Sequence, residues 1–249
     1  MFYRYFIQLS FKGTTFNGWQ KQKNAPSVQE TIENALKILL KQNIDLTGAG
    51  RTDTGVHAKY YIAHFDSVSE ISEIGDLIYH LNKILPFEIA IQNIFPVHSN
   101  AHSRFGAISR TYEYHCIFQK NPFEKEYCLL LKSLPNIEAM NQAGKLLLQY
   151  SDFTSFCRLH SDNKTNICKV EEAFWIIETN KLVFKITADR FLRNMVRAIV
   201  GTMLKVGFGE ISVNDFGQII EKKSRSLAGT SAPAHGLYLT AIKYPDGIW

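Results

Sequence analysis

Residues 2–12, FYRYFIQLSFK, alternate: Tyr3, Tyr5, Ile7, Leu9 and Phe11 fall on one face, Arg4, Gln8 and Lys12 on the other. A period of two over this length specifies a strand with one buried face. The segments after this strand set the fold. A turn-rich stretch, KGTTFNGWQKQKNAP at 12–26, runs into Ser27, which with Glu30 reads as a capping box for a helix striped by Val28, Ile32, Ala35, Leu36 and Leu39. Extended runs are expected at 44–48 and 58–66, then a helix near 73–85 carrying Ile74, Leu77, Ile78 and Leu81, then a strand near 88–95. The order looks similar from residue 106 on. ISRTYEYHCIF (108–118) reads as a strand, Asn136 starts a helix near 137–149, and a short DFTSFC segment precedes strands near 170–178 and 181–188. Helices near 190–206 and 213–222 and a last strand, LYLTAIKY, complete the pattern. The expectation is an α+β fold of two similar β-α-β-β-α-β (ferredoxin-like) halves, 1–105 and 106–249, with mainly antiparallel sheets packed side by side around a catalytic cleft.

With 249 residues, 45% of them hydrophobic, the chain can bury a substantial core. Its net charge of +5 is mild, but the charge is segregated. Residues 1–29 hold Arg4, Lys12, Lys21 and Lys23 with no acid, and 190–209 hold Arg190, Arg193, Arg197 and Lys205 with none, whereas 66–76 carries Asp66, Glu70, Glu73 and Asp76. That distribution suits a polyanionic partner. On a helix through 190–206 the three Arg would share a stripe about 60° wide, opposite Phe191, Leu192, Met195, Val196, Ile199, Val200 and Met203. Cys116, Cys128, Cys157 and Cys168 form no CxxC and meet no His at ligand spacing, so reduced, buried thiols are expected and no metal site. No long apolar run or signal-like start is present, which points to the cytoplasm and away from a membrane.

The chemistry is concentrated in GAGRTDTGVHA, residues 48–58. Gly48, Gly50 and Gly55 permit a tight connection, and Asp53 stands two residues from Arg51. Neither GxxxxGK[ST] nor a GxGxxG opening a helix is present, so this is not a phosphate loop. His57, beside a strand, reads as a hydrogen-bonded structural residue. Taken by themselves, these residues also describe an Asx turn with a solvated Arg.

The loop resembles the signature of the TruA family of tRNA pseudouridine synthases. Similar stretches are FNGWQKQ (16–22), VQETIENAL (28–36), SRTYEYH (109–115), DFTSFC (152–157), FLRNMVRAIVGTMLKVG (191–207) and APAHGLYL (232–239), in the family's order over almost the whole chain. The resemblance implies an isomerase working without a cofactor on anticodon-arm uridines at about tRNA positions 38 to 40, reached by flipping the base from its stack. It implies that Asp53 is the catalytic carboxylate, attacking C1′ of the ribose or C6 of the base. Arg51 is implied in flipping the uridine, Tyr112 in stacking on it, Arg197 in pairing with the carboxylate and keeping it ionised, and Leu237 in the apolar wall under the base. Arg104, Arg110, Arg193 and Lys21 are candidate RNA contacts, and a homodimer is implied. Two departures stand out: TDTG replaces a common TDAG, and Ala101, His102, Ser103 and Arg104 precede Phe105 where relatives often carry Asp-Ala-Arg. Two other classes compete. A non-catalytic RNA-binding or chaperone protein would use the same basic surface with Asp53 dispensable; a glycoside hydrolase would need a second carboxylate that the motif stretches lack.

Overall fold

A computed structural model describes residues 2–158 and 164–248. The chain divides into two compact units, Met1–Ile108 with Leu239–Trp249, and Ser109–Tyr238. The class is α+β with mainly antiparallel strands.

The first unit contains β1 (Tyr3–Phe11), α1 (Val28–Leu40), β2 (Thr47–Gly48), β3 (His57–Ser67), α2 (Ile74–Ile84) and β4 (Ile89–Pro96). Strand β1 is central, antiparallel to β3 (Ile7 opposite Ala63) and to β4 (Ile7 opposite Ile94). Its alternation is obeyed by Tyr5, Ile7, Leu9 and Phe11, but Phe6 on the opposite face is buried too, against His64, Phe95 and Tyr244. Ser27 caps α1 by accepting from Glu30 N at 3.2 Å, so the Ser27 half of the expected capping box is formed. Helix α1 buries Val28, Ile32, Ala35 and Leu36 and ends where Lys41 turns left-handed, with φ of 54°. The run expected over 44–48 pairs with β3 only at Thr47 and Gly48.

The second unit contains β5 (Ser109–Ile117), β6 (Leu129–Leu130), α3 (Ile137–Leu147), β7 (Val170–Glu178), β8 (Lys181–Ala188), α4 (Met195–Gly207) and α5 (Val213–Glu221). Strand β8 lies between β5 and β7, antiparallel to both, and short β6 runs parallel to β5. Helices α3, α4 and α5 pack on one another, and α3 covers β7. The last strand, β9 (Leu237–Lys243), starts in this unit, and from Leu239 it belongs to the first, beside β3.

One expected element is corrected. The helix near 190–206 starts only at Met195, so Arg190 and Arg193 precede it and the three-Arg stripe does not exist. The backbone of 189–194 is committed elsewhere: Asp189 N donates to Lys169 O at 3.1 Å, Arg190 N to the Asp189 side chain at 2.7 Å, and Arg193 O accepts from Arg158 N at 3.0 Å. Asn194 then turns left-handed, with φ of 67°, a conformation Asn tolerates better than most residues.

Candidate functional site

In the first unit the segment between β2 and β3 carries Arg51 and Asp53. Its glycines suggest looseness, but the loop is clamped. Ala49 N donates to Ile62 O at 2.8 Å, and the Tyr61 hydroxyl donates to Gly50 O. From the side, residues 13–19 turn against it: Gly13 N donates to His57 Nδ1 (3.1 Å), Trp19 N to Thr52 Oγ1 (3.1 Å) and Gly55 N to Phe16 O (3.4 Å). Inside the loop Val56 N donates to Asp53 O at 3.2 Å. Gly18, with φ of 85°, lies so close that a Cβ there would fall on the Thr52 carbonyl oxygen. Below, the Trp19 and Tyr61 rings stack at 4.1 Å. Asp53 is therefore a partly exposed carboxylate on fixed backbone, Arg51 is exposed, and buried His57 serves as an acceptor for the clamp.

The second unit gathers the other candidates along a single path. On β5, Tyr112 meets Phe191 edge to face, with ring centres 5.1 Å apart. Tyr114, two residues on and so on the same face, is fully buried and donates to Pro233 O at 2.9 Å. Burial pushes its phenol well above the ordinary tyrosine range, against the opposing charge of Arg197. Arg197 sits in the first turn of α4, where its Nε donates to Ala232 O (2.7 Å) and its carbonyl accepts from Ala232 N (2.9 Å). The 228–236 segment that receives these bonds is braced in turn. Arg225 reaches Gly229 O (3.1 Å) and Ser231 Oγ (2.9 Å), Asn194 Nδ2 reaches Ser231 Oγ (2.6 Å), and Gly229 N donates to Thr202 Oγ1 (2.9 Å). Gly236 lies against the Tyr114 ring, and Leu237 comes next, 5% exposed. Arg110 donates to Asp189 O at 2.7 Å.

Comparison with known proteins decides what this arrangement belongs to. Residues 145–245 match the family model described as tRNA pseudouridine synthase. The chain is 50% identical over 249 residues to the tRNA pseudouridine synthase A of Porphyromonas gingivalis, covering 99% of each. It is 47% identical over 247 residues to that of Bacteroides fragilis, covering 99% of this chain and 98% of the other. The protein of the same name from Francisella tularensis subsp. novicida is 38% identical over 245 residues, covering 97% of this chain and 94% of the other. The chain belongs to the tRNA pseudouridine synthase A family.

Within the second unit the structure thus brings Arg197, Tyr114 and Leu237 onto one backbone path, with Tyr112 on the same strand face as Tyr114. The first unit holds Asp53 and Arg51. Among the expected RNA contacts Arg104 and Arg193 are exposed, while Arg110 is partly buried. Lys21 is divided between Glu30 and Glu33, each at 3.7 Å. Sequence reasoning missed the bond that ties Tyr114 to the 228–236 segment, and it missed Asn194 and Arg225 as braces. The only sequence signal for the brace was the run of small residues in AGTSAPAHG (228–236). Among the described residues no group of three or more His, Cys, Asp or Glu is placed to hold a metal ion, and no helix is long and apolar enough to cross a membrane.

Proposed function

We propose that this chain isomerises uridine to pseudouridine in tRNA, in the anticodon arm at about positions 38 to 40, where the target must first leave its stack. The observation that carries this reading is Asp53, held on clamped backbone in a chain that matches its relatives from end to end. The Asp53 carboxylate attacks C1′ or C6, the N1–C1′ bond breaks, the uracil turns, and C5 bonds to C1′. The C5 proton is then lost and N1 gains one, so atoms balance without a co-reactant. A carboxylate serves because it is nucleophile and leaving group in turn. The detached base must be kept from diffusing away. We assign stacking on the base to Tyr112, the apolar wall to Leu237, support of the carboxylate to Arg197 and occupation of the vacated stack to Arg51. Arg104, Arg110, Arg193 and Lys21 are proposed to meet phosphates, with Lys21 the weakest because two acids share it. Two ferredoxin-like halves, a homodimer and a cytoplasmic location complete the proposal.

The test is incubation with unmodified tRNA, followed by carbodiimide mapping of pseudouridine. Wild type should modify the anticodon arm. Asp53→Asn, which keeps the shape and loses the nucleophile, should fold and bind tRNA yet form no product. Turnover by a clean Asp53→Asn sample removes Asp53 from the role, and wild-type binding without product leaves an RNA-binding protein.

A further inference from the structure

Residues 101–105, AHSRF, make a turn tied down by backbone and side-chain hydrogen bonds. Ala101 N donates to His98 O (2.8 Å), Ser103 N to His64 Nδ1 (3.2 Å), and Gly106 N to His102 O (2.8 Å). The N–H groups of Arg104 and Phe105 converge on His102 Nδ1, at 3.1 and 3.2 Å. Arg4 Nη1 holds Ala101 O (3.0 Å), and the Tyr244 hydroxyl holds Ser103 O (2.6 Å). The Ser103 hydroxyl donates to Thr47 O at 2.6 Å, which ties the turn to the strand running into the Arg51–Asp53 loop.

On this rigid base stands Phe105, 78% exposed. One part of its ring meets the His102 imidazole, with centres 4.4 Å apart, and the Arg104 guanidinium lies 5.7 Å from its centre. Two amides aimed at Nδ1 require that nitrogen to be unprotonated. Burial, and then the charges of Arg4 and Arg104, lower the His102 pKa in agreement with that geometry. Along the sequence the chain has no Asp or Glu between Glu88 and Glu113, and Arg104 flanks the ring. An exposed aromatic beside an Arg, in a stretch of sequence without acids, is matched to a π-faced, anionic partner. Because the turn is already ordered, binding loses little backbone entropy there.

We propose that Phe105 is a stacking platform for an unpaired nucleobase of the RNA substrate, with Arg104 at the adjoining phosphate. This assignment rests on the proposed reading that tRNA is the substrate. His102 holds the turn and backs the ring, so the departure from the relatives' common pattern at 101–104 retains a structural role.

The test measures Kd of wild type, Phe105→Ala, Phe105→Leu, Phe105→Trp and Arg104→Ala for an anticodon-arm stem-loop and for a blunt duplex of equal length, across salt. Phe105→Ala should weaken stem-loop binding about five- to a hundred-fold, the range of one aromatic–base stack, with an unchanged salt slope. Phe105→Leu should resemble Ala, Phe105→Trp should resemble wild type, and the duplex should show no difference between them. Arg104→Ala should instead reduce the salt slope by about one phosphate contact. Unchanged melting temperatures will establish that the variants fold. The proposal is overturned if Phe105→Ala binds the stem-loop as wild type does, if Leu substitutes for Phe, or if Phe105→Ala alters only self-association in sedimentation. Pseudouridine formation by wild type is scored separately: its absence defeats the enzymatic reading, while the platform is judged by Kd alone.

Discussion

Gly18→Ala should damage the Asp53 loop from a distance of 35 residues in sequence, and Gly50→Ala, three residues from Asp53, should not. At Gly18 the backbone is left-handed, with φ of 85°, and a Cβ would overlap Thr52 O while standing 3.2 Å from the carbonyl carbons of both Thr52 and Asp53. A non-glycine residue there costs about 1–2 kcal/mol for its backbone conformation. Relief of the overlap needs roughly 1 Å of relative movement of two bonded backbones and adds about 1–3 kcal/mol. The expected loss is about 2–5 kcal/mol in urea unfolding. Since Thr52 O belongs to the peptide that precedes Asp53, the same movement displaces the carboxylate, and a shift of that size costs about a hundred-fold in rate. At Gly50 a Cβ meets nothing within 4 Å and the φ is not left-handed, so Ala should leave stability within about 0.5 kcal/mol or raise it. Single-turnover kinetics with saturating enzyme separates chemistry from tRNA affinity. Wild-type rate and stability in Gly18→Ala, or an equal defect in Gly50→Ala, would refute the clamp as what positions Asp53.

Two further outcomes are expected. Arg197→Ala should lower the single-turnover rate with tRNA affinity changed only a few-fold, whereas Arg193→Ala, at an exposed position ahead of the helix, should weaken binding more than chemistry; the reverse pattern would contradict the role given to Arg197. Acid should destabilise the first unit through His64, 6% exposed, whose pKa is lowered to about 4 by burial first and by His102 and Arg4 next. The unfolded chain binds that proton more readily, so stability is lost as pH falls from about 6.5 towards 4, by up to about 3 kcal/mol. Asp66, held below the ordinary carboxylate range by Arg4, extends the loss to still lower pH. His64→Gln should flatten the dependence of urea midpoints between pH 6.5 and 4.5, and an undiminished slope would show that another group carries it.

Strand β1 was legible because its period is written in consecutive residues, and the α1 start because Ser27 caps it within three. What escaped the sequence was decided by partners far along the chain. Helix α4 looks continuous from residue 190, since Phe191, Leu192, Met195 and Val196 keep a helical spacing; it starts late because Arg158 N takes the Arg193 carbonyl that a helix would have used and Asn194 turns left-handed. The candidate carboxylate was visible for the reason β1 was: RTD and its flanking glycines are local. Its support was not, because Gly18 reads in sequence as turn chemistry and only its closeness to Thr52 makes it a packing residue. Tyr114 lies only two positions from Tyr112 in the sequence, yet its hydroxyl is bonded to Pro233, 119 positions on. In each unit, then, local motifs name the groups proposed to face the substrate, and long-range backbone contacts to glycines, small residues and buried hydroxyls set where those groups stand. A conservative change at Gly18, Ser231 or Tyr114 should therefore cost function through geometry while leaving every motif that identified the family intact.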